Sequence, residues 1–98
     1  MRVVWTDPAL WDREQIFDFI AQDNPDAAVS MDDLFTASAA SLTTLPERGR
    51  PGRVPGTREL LVHKHFILVY GIDRQNETVY IVAVIHTSRK YPPFPVYP

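Results

Sequence analysis

Residues 58–85 read RELLVHKHFILVYGIDRQNETVYIVAVI, and this stretch decides the fold. Arg58 to Val62, Phe66 to Ile72 and Val79 to Ile85 are short runs rich in Val, Ile, Leu and Tyr, side chains that suit the pleated backbone of strands. His63-Lys64-His65 and Asp73-Arg74-Gln75-Asn76-Glu77 separate them as polar connections, so the runs predict an antiparallel meander of three strands. The third run is apolar at successive positions. Both faces of its sheet are therefore expected to be covered, one by helices and the other by the C-terminal tail or by a partner.

Upstream, Pro46 to Gly56 (PERGRPGRVPG) crowds prolines, glycines and arginines into one segment that reads as a loop without regular structure. Before it, apolar side chains recur at helical spacing twice. Leu10, Arg13, Ile16, Phe17 and Ile20 predict an amphipathic helix to about Gln22, with Asp7 as N-cap and Pro8 at the first helical position. Asn24 and Pro25 repeat that start signal for a second helix. Its expected apolar face is Ala28, Met31, Leu34 or Phe35, Ser38, Leu42 and Leu45, and Pro46 ends it. Arg2 to Trp5 is strand-like. The expected class is α+β in the order β-α-α-β-β-β, an antiparallel αα-hairpin on a mainly antiparallel sheet. One domain is expected over residues 1–91, followed by a proline-rich tail at 92–98. In that tail Pro92, Pro93, Pro95 and Pro98 remove backbone donors, which predicts an extended, polyproline-like path with Tyr91, Phe94 and Tyr97 as apolar anchors.

With 98 residues, 45% hydrophobic and 22% charged, the chain has material for one modest core and not for a deep two-domain cofactor cleft. It has no cysteine, which excludes a disulfide framework and a thiolate zinc site. The N-terminus lacks the apolar run of a signal peptide and no run is long enough to span a membrane, so a cytoplasmic location is expected. The net charge of −2 hides an asymmetry: residues 1–46 carry −6 and residues 47–98 carry +4. A basic half on so small a domain suits an acidic partner or nucleic acid, and an acidic solvated helix face beside a few incidental arginines accounts for the asymmetry equally well.

The order of elements, together with NPDAA at Asn24 to Ala28, RGRPGRVPGTREL at Arg48 to Leu60, FILVYGID at Phe66 to Asp73 and VAVIHTSRKYP at Val82 to Pro92, resembles the RelE/ParE superfamily of toxins from type II toxin–antitoxin systems. The resemblance spans nearly the whole chain. It implies a growth-inhibiting toxin that needs no cofactor and is neutralised by a cognate antitoxin in a hetero-oligomer. Two targets are open to it: RelE-like members cut messenger RNA in the ribosome, and ParE-like members poison DNA gyrase. A small nucleic-acid-binding module is the reading outside the family, weakened by the acidic half and by the lack of an aromatic-basic strand motif.

Metal-free RNA cleavage needs a general base, cations around the phosphate and an acid for the leaving oxygen. Arg58, His86 and Arg89 are the candidates for such chemistry, with Tyr91 beside them. The resemblance places further cations at Leu60 and Ile67, whose uncharged side chains cannot stabilise a phosphorane, so the balance falls toward gyrase. Candidate partner-binding residues are the loop arginines Arg48, Arg50 and Arg53, then Arg58 and Tyr70, and finally Arg89, Lys90, Tyr91 and Phe94. His63 and His65 have a spacing that can ligate metal, but no cluster of other ligands accompanies them, and no metal is expected.

Overall fold

The computed structural model describes residues 1–94, which run β1 (Arg2–Trp5), α1 (Asp7–Ala21), α2 (Pro25–Ser41), β2 (Arg50–Pro51), β3 (Arg58–Val62), β4 (Phe66–Asp73) and β5 (Thr78–His86). The expectations for Pro95, Tyr97 and Pro98 lie outside these residues. The strands form one sheet in the order β1-β5-β4-β3-β2. The meander is antiparallel as expected, whereas β1 joins β5 in parallel, with Val3 opposite Val79. Parallel neighbours require a long crossover, and here residues 6–77 supply it. The loop expected to lack regular structure contributes β2, in which Arg50 pairs with Glu59 and Pro51 with Arg58. Proline is tolerated there because β2 is an edge strand with an unpaired side.

A β-bulge explains the apolar run Val79 to Ile85. Val69 pairs with Ala83 but Tyr70 pairs with Ile81, which leaves Val82 without an opposite number. One extra residue reverses the alternation of faces. Val79 and Ile81 therefore pack with Phe35, Leu42, Leu68 and Tyr70 beneath the helices. Ala83 and Ile85 pack on the opposite face with Ile67, Val69 and Tyr91. Of the two covers open to that face, tail or partner, the tail supplies one: Tyr91 is buried there and Phe94 stacks on it, ring centroids 5.6 Å apart.

The helices start and stop differently from the pattern. Thr6, not Asp7, is the N-cap of α1, and its hydroxyl donates to Ile81 O at 2.7 Å, fastening the helix start to β5. The buried α1 residues are Ala9 and Asp12, while Leu10 is exposed, so the inward face is rotated by about one position. Asp12 Oδ2 accepts the Val84 N–H at 2.8 Å, serving a β5 donor that lies past the last residue paired to β1. Arg13 is half-buried as the pattern placed it, its guanidinium 4.4 Å over the Trp5 ring and 2.9 Å from Asp32. In α2 the cap is as expected, Asn24 Oδ1 accepting from Ala27 N at 3.1 Å. Phe35 rather than Leu34 turns inward, edge-on to Phe66. The helix ends at Ser41, ahead of Pro46, because buried Leu42 caps it; Leu45 is left exposed. Among the described residues no helix is long and apolar enough to cross a membrane.

Candidate functional site

Alternation along β3 divides the expected site between two faces. Arg58 sits opposite Tyr70, and its Nη1 donates to Gly49 O at 2.7 Å. Tyr70 is fully buried; its hydroxyl donates to Pro46 O at 2.7 Å and accepts from Gly49 N at 2.8 Å. Burial pushes the Tyr70 phenol above its ordinary pKa, with the Gly49 N–H bond pulling the other way. Arg58 and Tyr70 thus hold the 46–49 loop. Tyr70 has no surface to offer a partner, which corrects its place among the partner-binding residues.

Glu59 points to the other face, where the sequence reading named no acid. It is 3% exposed. Its carboxylate accepts from Arg50 Nη2 at 3.1 Å, from Arg53 N at 2.9 Å and from the Tyr91 hydroxyl, and Arg53 Nη2 lies 3.5 Å away. Burial alone would raise the Glu59 pKa, but the hydrogen bonds from Tyr91, Arg53 and Arg50 and the Arg53 charge together hold it below the ordinary value. The Tyr91 phenol is pushed well up, first by burial and then by its bond to Glu59. Arg53 completes the clasp with its guanidinium 4.4 Å over the Tyr91 ring. The three loop arginines do gather at one pocket of about 420 Å³, which Glu59, Leu61 and Ile67 also line. Arg48 there bonds Ser41 Oγ at 2.8 Å.

The catalytic trio is not assembled. Arg58 lies opposite Tyr70 and His86 opposite Phe66, four residues apart along β4, or roughly 13 Å. His86 is exposed at the end of β5, its Nδ1 2.7 Å from Ser88 Oγ and its ring stacked on His65 at 5.8 Å. His63 and His65 rings are 5.6 Å apart, and among the described residues no group of three or more His, Cys, Asp or Glu is placed to hold a metal ion. Arg89 and Lys90 are exposed just beyond the strand. Leu60 belongs to the helix-side core, so of the two positions lacking a cation only Ile67 faces the tail side, where it is buried.

The second concavity is a groove of about 770 Å³ between α1, the start of α2 and the far end of the sheet. Ile16, Phe19, Ile20, Met31, Phe66 and Val84 give it apolar walls, with His65, His86 and Arg89 at one end. No candidate was named on its helical wall, because Phe19 departs from the expected inward face.

A two-helix hairpin on one face of this sheet, a tail on the other and a clasped arginine loop define a small α+β fold. The family model described as the ParE toxin of the type II toxin–antitoxin system parDE matches residues 3–91, and the chain belongs to that family. It is similar to the putative toxin Y4kP of Sinorhizobium fredii, 36% identical over 92 residues, or 93% of each chain. It is also similar to toxin RelE2 of Caulobacter vibrioides, 38% identical over 88 residues that cover 90% of this chain and 97% of that one. Among solved structures, the chromosomal ParDE system of P. aeruginosa superposes with a TM-score of 0.77 at 22% identity, covering 88% of this chain and 95% of that one. The RelBE2 toxin–antitoxin complex of Mycobacterium tuberculosis superposes at 0.64 and 25% identity, covering 87% and 95%. The protein is therefore a type II toxin of the RelE/ParE superfamily.

Proposed function

We propose that this toxin arrests growth by binding DNA gyrase, without cleaving RNA, and that a cognate antitoxin neutralises it. The observation that carries the choice of target is Glu59. Arg58 and His86 are set four residues apart along β4, so the cations that do gather on the sheet are the loop arginines on the tail side, and there a buried carboxylate already takes Arg50, Arg53 and the Tyr91 hydroxyl. Its neighbours Leu61 and Ile67 carry no charge. A phosphorane there would meet a buried anion set among the arginines, and loss of even one cationic donor slows such a reaction about a hundredfold or more. The exposed cations Arg89 and Lys90, and the outer faces of Arg50 and Arg53, suit contact with an acidic protein surface. The test is purified toxin in two reactions. Slowed gyrase supercoiling with intact messenger RNA on translating ribosomes is expected; codon-phased cleavage with unimpaired gyrase would overturn the reading.

A further inference from the structure

We infer that the pocket around Leu61, on the tail side of the sheet, is the surface that grips the target, and that it takes an acidic protein segment carrying one apolar side chain. This rests on the reading of a protein target and names the part of the toxin that meets it. β2 is two residues long and pairs with Arg58 and Glu59, so it stops short of Leu61. In the row Leu61, Ile67, Ile85 across β3, β4 and β5, the last two are covered, whereas Leu61 is 61% exposed. A lone exposed leucine is ordinary on a small domain. This one stands in the pocket of about 420 Å³ among Arg48, Arg50 and Arg53, and an apolar centre set among arginines has the composition of an interface core.

Charge sets the sign of the guest. Three arginines and one acid, Glu59, line the pocket, which leaves an excess of two positive charges. The arginines are also held in place. Arg48 donates to Ser41 Oγ at 2.8 Å, Arg53 lies 4.4 Å over the Tyr91 ring, and Arg50 and Arg53 share Glu59 Oε1. Each guanidinium has more N–H donors than Glu59 occupies, and an incoming carboxylate can take two at once. Donors fixed beforehand lose little freedom when a guest arrives. Glu59 and Leu61 share a face of β3, roughly 7 Å apart along the strand. A guest whose apolar side chain rests on Leu61 therefore brings neighbouring carboxylates within reach of the arginines.

The pocket suits protein better than RNA. Single-stranded RNA is held by stacking its bases on aromatic rings. Among the described residues none that lines the pocket is aromatic, and the Tyr91 ring beneath Arg53 is itself stacked on Phe94. Leu61 and Ile67 offer an aliphatic contact and no hydrogen bond to a base edge.

The probe is a fluorescein-labelled peptide of about nine residues with a central Leu between pairs of Glu. One twin carries Ser for the Leu, another carries Lys for the Glu, and an oligouridylate of about nine nucleotides stands for RNA. By fluorescence anisotropy at low salt the probe should bind the full-length toxin at least about tenfold more tightly than either twin or the oligouridylate. Leu61→Asp should weaken it about tenfold or more and Leu61→Ser somewhat less, while Leu45→Asp, similarly exposed but off the pocket, should not. Circular dichroism melts of the variants confirm that they fold. Absent binding, equal binding of a twin, tighter binding of the oligouridylate, or indifference to both Leu61 variants would each overturn the assignment. Self-association of the wild type that Leu61→Asp abolishes, read by sedimentation, would make a second copy the occupant and overturn it too. In the supercoiling reaction Leu61→Asp should inhibit at least about tenfold less than the wild type, and undiminished inhibition would count against the pocket in the same way. A wild type that takes the peptide yet leaves gyrase unimpaired would uphold the pocket and sink only the choice of gyrase.

Discussion

Glu59 concentrates the energetics of the tail-side face in one side chain. Desolvating a carboxylate costs several kcal/mol, which only close donors and charges offset, and removing one partner of a buried pair typically costs about 3–5 kcal/mol. Glu59→Gln keeps the shape and loses the charge, so a loss of about 2–4 kcal/mol is expected in urea unfolding at pH 7. The pH dependence has a definite sign. The folded-state pKa of Glu59 is lowered from 4.5, so its contribution is complete above that value and is lost as pH falls through the folded-state value. The wild type should thus lose more stability than Glu59→Gln when taken from pH 7 into acid; equal losses would show that Glu59 is not held as an anion. In the sequence this residue was half legible. Strand alternation puts Arg58 and Glu59 on opposite faces, but nothing local reveals that Glu59 faces a roof made of Tyr91, more than thirty residues away.

The arginine loop is an element fastened from both faces of the sheet, by Tyr70 and Arg58 beneath the helices and by Glu59 beneath the tail. Tyr70→Phe removes the hydroxyl that serves Gly49 N and Pro46 O, and should cost about 1–3 kcal/mol while leaving the core volume nearly unchanged. Gly49→Ala should do comparable damage by a different route, since a Cβ there would lie 2.7 Å from Tyr70 Oη and 2.9 Å from Glu59 O. Either variant should accelerate tryptic cleavage at Arg48, Arg50 or Arg53, read by mass spectrometry; cleavage at the wild-type rate would mean that the loop is held by something else. Elements of this kind mark the limit of local reading. The strand runs β3 to β5 and the Asn24-Pro25 start announce themselves by composition and spacing. The two-residue β2, the bulge at Val82 and the rotated face of α1 do not, because each is set by its neighbours: Glu59 fixes β2, the β4 register fixes the bulge, and the unpaired Val84 N–H draws Asp12 inward.

At the scale of the whole molecule, the described residues form one sheet with two unequal covers, a helix hairpin on one side and Tyr91, Phe94 and Val54 on the other. The thin cover is the vulnerable one. Tyr91 and Phe94 lie against Ile67, Val69, Ala83 and Ile85, all of which are under 5% exposed. Full burial of one large apolar side chain contributes about 1.5–3 kcal/mol, so buried Tyr91, partly buried Phe94 and the Glu59 clasp together are a substantial share of the roughly 5–15 kcal/mol that holds a small domain together. Ending the chain at Lys90 should therefore do more than trim a surface. It should uncover a contiguous apolar face, raise binding of a hydrophobic dye, lower the melting temperature and drive self-association visible by light scattering. Inhibition of supercoiling should fall with it, because the arginine loop loses the Tyr91 ring under Arg53 and the Tyr91 hydroxyl on Glu59 at the same stroke. Phe94→Ala separates cover from clasp: the Tyr91–Glu59 bond survives, so the loop should resist trypsin as in the wild type while dye binding rises modestly. A chain ending at Lys90 that stays monomeric and melts like the full-length protein would show that the helix hairpin alone carries the fold.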